Sequence, residues 1–151
     1  MSREIYIHYG SDHFKPELVL EKSKNLHTSN KPNGLWGSPT SRKYWTWKDW
    51  CKSEDFRSGS FEKSFKFRIS RNAKLLWVHE LKDIKRFIKK EKHISSPDNF
   101  FEKLDIKKIM ENYDGMVLIH GKNYDELRYS FFYSWDVDSI CVWNPDVVEL
   151  I

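Results

Sequence analysis

The run Ile5-Tyr6-Ile7-His8, alternating and β-rich, is broken at once by Tyr9-Gly10-Ser11-Asp12, and this constrains the chain more than any other feature. Alternation sends successive side chains to opposite faces of a sheet, and glycine with small polar residues ends the run. The pattern predicts a first strand closed by an imidazole, beside main chain that a glycine leaves open to close approach.

Similar short β-rich runs recur at Leu35–Ser38, Phe65–Ile69, Leu75–Val78, Met116–His120, Ser139–Trp143 and Val147–Leu150, the last as an edge strand after Pro145. Residues 14–33 show no clear period and end in a turn signal, Asn30-Lys31-Pro32-Asn33-Gly34. Helical spacing appears in blocks between the strands. Thr40-Ser41 can cap a helix running to Lys52, with Tyr44, Trp47, Trp50 and Cys51 on one stripe. Residues 80–91 read as an amphipathic helix, with Leu81, Ile84, Phe87 and Ile88 inward and Lys82, Lys85, Arg86, Lys89 and Lys90 outward. Ser96-Pro97 restarts a helix that buries Phe101, Ile106, Ile109, Met110 and Tyr113. A short helix or turn covers Tyr124 to Tyr129. Helices in blocks, rather than one between each pair of strands, predict an α+β fold and not a doubly wound sheet. The only linker-like piece, Ser58-Gly59-Ser60, is too short to separate domains, so residues 1–151 are expected to form a single domain.

Charge and cysteine content narrow the functional classes. The net charge of +4 favours an anionic ligand or target without making nucleic acid the default partner. No apolar run approaches the length of a membrane span, and the first residues lead straight into a strand pattern. Cys51 and Cys141 have no metal-ligand spacing and fit two buried thiols, so the expected location is the cytoplasm. The histidines (His8, His13, His27, His79, His93 and His120) show no ligand spacing, so no metal site is expected. There is no P-loop and no dinucleotide glycine fingerprint.

Four constellations could carry chemistry, and each also has an ordinary structural reading. His8-Tyr9-Gly10-Ser11 offers a ring that donates at one nitrogen and accepts at the other; it equally describes a partly buried histidine closing a strand. Gly34-Leu35-Trp36-Gly37-Ser38, followed by Tyr44, Trp47 and Trp50, sets a large π surface beside a glycine-flanked strand; it equally describes a tryptophan-rich core under a helix. Trp135-Asp136-Val137-Asp138 brings carboxylates to the start of a buried strand, where they need a partner or a cleft, or serve as backbone caps. The basic run around Lys82–Lys92 is a solvated face or a phosphate-binding one.

Together these motifs resemble the ADP-ribosyltransferase fold. The branch with a His-Tyr-Glu signature, which includes poly(ADP-ribose) polymerases and diphtheria-toxin-like enzymes, is the most similar. The layout is also similar to that of small bacterial and phage proteins. The resemblance implies a split, mainly antiparallel sheet around a cleft for NAD. In that branch the first-strand histidine holds a ribose of NAD, and a Gly-Leu-aromatic segment with a second aromatic on the next helix frames nicotinamide. Carried onto this chain, His8, Tyr9, Gly10 and Ser11 would contact NAD; Gly34, Leu35, Trp36, Ser38, Tyr44 and Trp47 would line the nicotinamide pocket; and Asp138 or Asp136, with His8, would serve catalysis. The closing stretch Asp138-Ser139-Ile140-Cys141-Val142-Trp143-Asn144-Pro145 resembles the branch's acidic-strand-proline pattern. Tyr9 stands between His8 and Gly10 where many members have His-Gly, Trp36 replaces a tyrosine, and no glutamate occupies the final motif. The resemblance therefore implies single rather than chain-forming ADP-ribose transfer to a protein or nucleic acid. It also leaves two alternatives: an inactive module that binds a partner or nucleotide, and an RNA-directed enzyme or binder.

Overall fold

The computed structural model describes residues 3–24, 31–42, 46–56, 61–92, 95, 98–128, 130–132 and 135–151. Strands β1 (Tyr6–Tyr9), β2 (Leu35–Pro39), β3 (Ser64–Ile69), β4 (Leu75–Val78), β7 (Gly115–Leu118), β8 (Ser139–Val142) and β9 (Val148–Leu150) form one sheet in the order β4-β7-β8-β2-β1-β3-β9. β5 (Ile88–Lys92) and β6 (Phe100–Leu104) pair separately as an antiparallel hairpin. The helices are α1 (Pro16–Ser23), α2 (Trp47–Ser53), α3 (Ile106–Asn112) and α4 (Tyr124–Arg128), joined by 3-10 turns at Leu81–Phe87, Gly121–Asn123 and Pro145–Val147. The fold is α+β as the segment order predicts. The sheet is mainly antiparallel; within the described residues the pairing of β4 with β7 is parallel.

The sheet's middle is buried on both faces. In β7 and β8 every residue is buried. Met116, Leu118 and Cys141 pack into one apolar cluster with Ile84, Phe87, Ile109 and Phe132. Val117, Ile140 and Val142 face the other way and pack with Tyr6, Phe67, Ile69 and Val19. This two-sided burial explains why both strands read as near-continuous apolar runs rather than alternating ones.

Gly37 adjusts β2 to this packing. A side chain there would meet the Phe67 ring at 2.7 Å, so the strand passes over a large aromatic only because the position is bare. At this point β2 also changes partners. Leu35, Trp36 and Gly37 pair with Val142, Cys141 and Ile140 of β8, whereas Ser38 and Pro39 pair with Ile7 and Tyr6 of β1. Beyond Ile7, β1 continues alongside β3 through His8–Phe65 and Tyr9–Ser64.

Several expected elements differ. Residues 16–23 are helical where no regular structure was expected. Start signals were there in Pro16 and Glu17, but Val19 is the helix's buried residue and Leu18 and Leu20 are exposed, so no apolar stripe announces it. Residues 80–91 are not one α-helix. Leu81, Ile84 and Phe87 repeat every three residues, the period of the 3-10 helix that forms, and Ile88–Lys92 then pairs with β6. The basic face breaks up with it: Lys82 pairs with Glu80 at 2.8 Å, Lys89 with Glu91 at 3.4 Å, and Arg86 donates to the Tyr113 hydroxyl. The helix expected from Ser96-Pro97 begins later, at Ile106 with Asp105 as its cap, and Phe101 is exposed on β6. Ser96, Pro97, Ser58-Gly59-Ser60 and Tyr129 lie outside the described residues. α2 is capped by Thr46, not by Thr40-Ser41; Thr46 accepts from the Asp49 amide at 3.3 Å while the Asp49 carboxylate accepts from the Thr46 amide at 2.9 Å. Thr40 instead donates its amide and hydroxyl to the Ile5 carbonyl, each at 2.8 Å.

Candidate functional site

A cleft of about 450 Å³ opens where β1 and β2 part. Its walls come from β1, β2, the last turn of α1, helix α2 and the segment entering β8. The parting leaves the Trp36 carbonyl without a β1 amide opposite it. The His8 imidazole takes that place, with Nδ1 2.7 Å from the Trp36 oxygen. A carbonyl can only accept, so Nδ1 carries the proton and Nε2 is the ring's acceptor. Burial holds the His8 pKa below its ordinary value; the bond to the Trp36 carbonyl opposes this, and the positive charge of Lys22 adds to it. His8 is therefore a neutral ring of fixed tautomer at the head of the cleft, with Phe65 5.1 Å from it on the β3 side.

Aromatic rings form two groups around the opening. Trp47 and Trp50, three apart on α2, stack with centroids 5.2 Å apart and planes 11° apart, and Phe56 meets both edge-on. Across the cleft Trp36 meets Trp135 edge-on at 4.7 Å. The indole N–H of Trp135 donates to the Ser139 hydroxyl, which donates to the Val137 carbonyl at 2.9 Å. That chain of bonds fixes the entrance to β8.

Of the residues singled out from the sequence, His8, Tyr9, Gly34, Trp36, Ser38, Trp47 and Asp136 line this cleft. Ser38 is buried, which brings a hydroxyl to its floor. Gly10 and Ser11 fall outside it. Gly10 turns the chain with φ of 103°, its amide donates to the Lys63 carbonyl at 2.9 Å, and Ser11 bonds locally to His13. Tyr9 carries β1 one residue past His8, and the turn follows at Gly10. Leu35 points into the core beside Phe67 and Val142. Tyr44 lies outside the described residues.

Asp138 also falls outside the cleft lining. One of its carboxylate oxygens accepts from the His120 amide at 2.7 Å and the other pairs with Arg42 Nε at 2.9 Å. It ties the start of β8 to the ends of β7 and β2, whereas Asp136, two residues earlier, lines the cleft. Residues two apart on an extended strand share a face, so it is the bend at Val137 and Asp138 that lets the two carboxylates take different roles.

Lys22, Lys31 and Phe56 also line the cleft without having been singled out, and Trp50, Trp135 and Ser139, which stood in the candidate motifs without a named contact role, line it too. Trp50 was legible from its spacing to Trp47. The lysines were not, because one sits in a helix the sequence hides and the other in a turn.

Among the described residues no cluster of histidine, cysteine, aspartate and glutamate could hold a metal ion, and no helix is long and apolar enough to cross a membrane. No protein-family model, curated protein or solved structure matches this chain.

Proposed function

We propose that the chain is an NAD-dependent mono-ADP-ribosyltransferase that modifies a macromolecule, protein or nucleic acid. One observation carries the reading: the His8 ring fills the gap between β1 and β2 by bonding the Trp36 carbonyl, beneath a cleft walled by aromatics. A histidine so oriented offers Nε2 to a ribose hydroxyl. The parting of the two strands is, on this reading, the split of an ADP-ribosyltransferase sheet. Trp47, stacked on Trp50, would frame nicotinamide, and the Ser38 hydroxyl would bond its amide.

Transfer breaks the bond between nicotinamide nitrogen and ribose C1′. The electron pair leaves with nicotinamide, and an oxygen or nitrogen of the target bonds C1′ and sheds its proton. Positive charge develops on the ribose on the way, as in glycoside cleavage. A carboxylate beside it lowers the barrier. Asp136 stands in the cleft for that role, while Asp138 holds the strand entrance through Arg42 and His120.

The test is release of nicotinamide from NAD, together with transfer of labelled ADP-ribose to lysate components. The wild-type chain is expected to do both. Asp136→Asn is expected to lose about a hundredfold or more in rate while still binding NAD. An absence of saturation-transfer contact between the chain and NAD, with no adduct on any component, sinks the reading. Loss on Asp138→Asn but not on Asp136→Asn reverses the carboxylate assignment.

A second reading is favoured by one observation: among the described residues no glutamate lines the cleft, and Asp138 is engaged on both oxygens. On this reading the cleft binds a nucleotide or partner without catalysis. NAD contact with no nicotinamide release would select it.

A further inference from the structure

The cleft carries a cationic end that the proposed reaction does not use. Lys22 enters it from the last turn of α1, and Lys31 from the segment leading into β2. Lys31 is placed by a seat. Its ammonium lies 4.7 Å from the centroid of the Trp36 ring, and Trp36 is itself held edge-on by Trp135. The main chain beside it is pinned as well. Pro32 is buried, and its carbonyl accepts from the Cys141 thiol at 3.8 Å. Gly34 presses so close to β8 that a side chain there would meet the Val142 carbonyl oxygen at 2.3 Å. Lys31 therefore reaches the cleft from a rigid base, in contrast to an ordinary surface lysine, whose ordering entropy opposes any fixed contact.

We propose that Lys31, seated on Trp36, and Lys22 together recognise the phosphates of a nucleotide, so that the cleft selects phosphate-bearing ligands over the corresponding nucleosides. Trp36 then acts mainly as the platform for an ammonium, and the stacking surface for a flat ring passes to Trp47 and Trp50. The chemistry agrees with this division. The Trp36 face is attractive to a cation through its ring quadrupole, while the α2 pair presents an aromatic rim. Lysine suits phosphate as a point charge with three rotating donors. The Lys22 charge also reaches His8, and both lysines act on buried Cys141, which places the two ammonium groups in one electrostatic neighbourhood. The inference rests on the nucleotide reading of the cleft but does not require that any nucleotide be cleaved.

Calorimetric titration of the full chain decides it, with NAD and ADP as charged probes and nicotinamide riboside as the probe without phosphate. Lys31→Met and Lys22→Met are each expected to weaken NAD and ADP about tenfold and to flatten the salt dependence of binding, leaving the riboside unchanged. Lys31→Arg is expected to retain most of the affinity. Adding Trp36→Leu to Lys31→Met should weaken NAD little further, since the seat has lost its occupant. The proposal is overturned if the methionine variants bind NAD as wild type does, or if they weaken NAD and the riboside equally. ADP binding that depends on the lysines, without nicotinamide release, would keep the phosphate clamp and remove the transferase. Nicotinamide release that ignores the lysines would do the reverse.

Discussion

The two halves of β2 solve the same problem differently. Toward β8 the strand is fully paired, its neighbours are buried, and Trp36 and Gly37 lie opposite Cys141 and Ile140. Toward β1 the pairing stops after Ser38 and Ile7, and one carbonyl is satisfied by an imidazole instead of an amide. A backbone bond closes a sheet; a side-chain bond satisfies the same carbonyl and leaves an opening. The difference shows that a cleft can arise where two paired strands of one sheet part. The cost of the opening falls on a single residue, His8.

The contrast predicts unequal effects of mutation on the two sides. Gly34→Ala attacks the closed half. Its new methyl would meet a backbone oxygen, and β8 is packed on both faces, so nothing soft can yield. A loss of about 3 kcal/mol is expected in urea unfolding, toward the upper end of overpacking costs. A loss below about 1 kcal/mol would show that the β2–β8 contact is more yielding than its burial suggests. His8→Ala attacks the open half. It strips the Trp36 carbonyl of its donor, yet the site is a cleft that water can enter, so about 1 kcal/mol is expected. A cost equal to that of Gly34→Ala would mean the imidazole is as structural as the β8 ladder.

Legibility in the sequence follows the same division. The closed half was readable. Ser139–Trp143 and Met116–His120 announce themselves by apolar runs and fall on β8 and β7, and Leu75–Val78 announces β4 by its composition. The open half was readable only in part. His8, Trp36, Ser38, Trp47 and Asp136 could be grouped from a strand end, a glycine-flanked aromatic and an acidic strand entrance, and they do meet in one cleft. Three features stayed hidden for identifiable reasons. α1 buries little beyond Val19, so periodicity could not reveal it or the Lys22 it carries. The 3-10 turn at Leu81–Phe87 shares three-residue spacings with an α-helix over a short window, and tertiary pairing with β6 ended it early. Asp136 and Asp138 were interchangeable in sequence, and only the position of Arg42 and the His120 amide separates them.

The smallest expected effect tests whether His8 is held neutral by the cleft. Burial lowers its folded pKa from the ordinary 6.5, so the unfolded chain takes up the proton first as pH falls. Above 6.5 the ring is neutral in both states and its contribution to stability is complete; below 6.5 that contribution declines toward the lowered folded pKa. Protonation keeps the Nδ1 donor to Trp36 but removes the Nε2 acceptor, so ligand affinity should fall over the same range even where the fold survives. His8→Gln keeps a donor of comparable reach and cannot titrate. Urea midpoints for wild type and His8→Gln, taken from about pH 8 to about pH 5, should therefore show the wild-type advantage shrinking with acid. An advantage that is constant, or that grows as pH falls, would mean the charged ring is welcome between the strands, and the open half of β2 would then be held by an ion rather than by a neutral hydrogen bond.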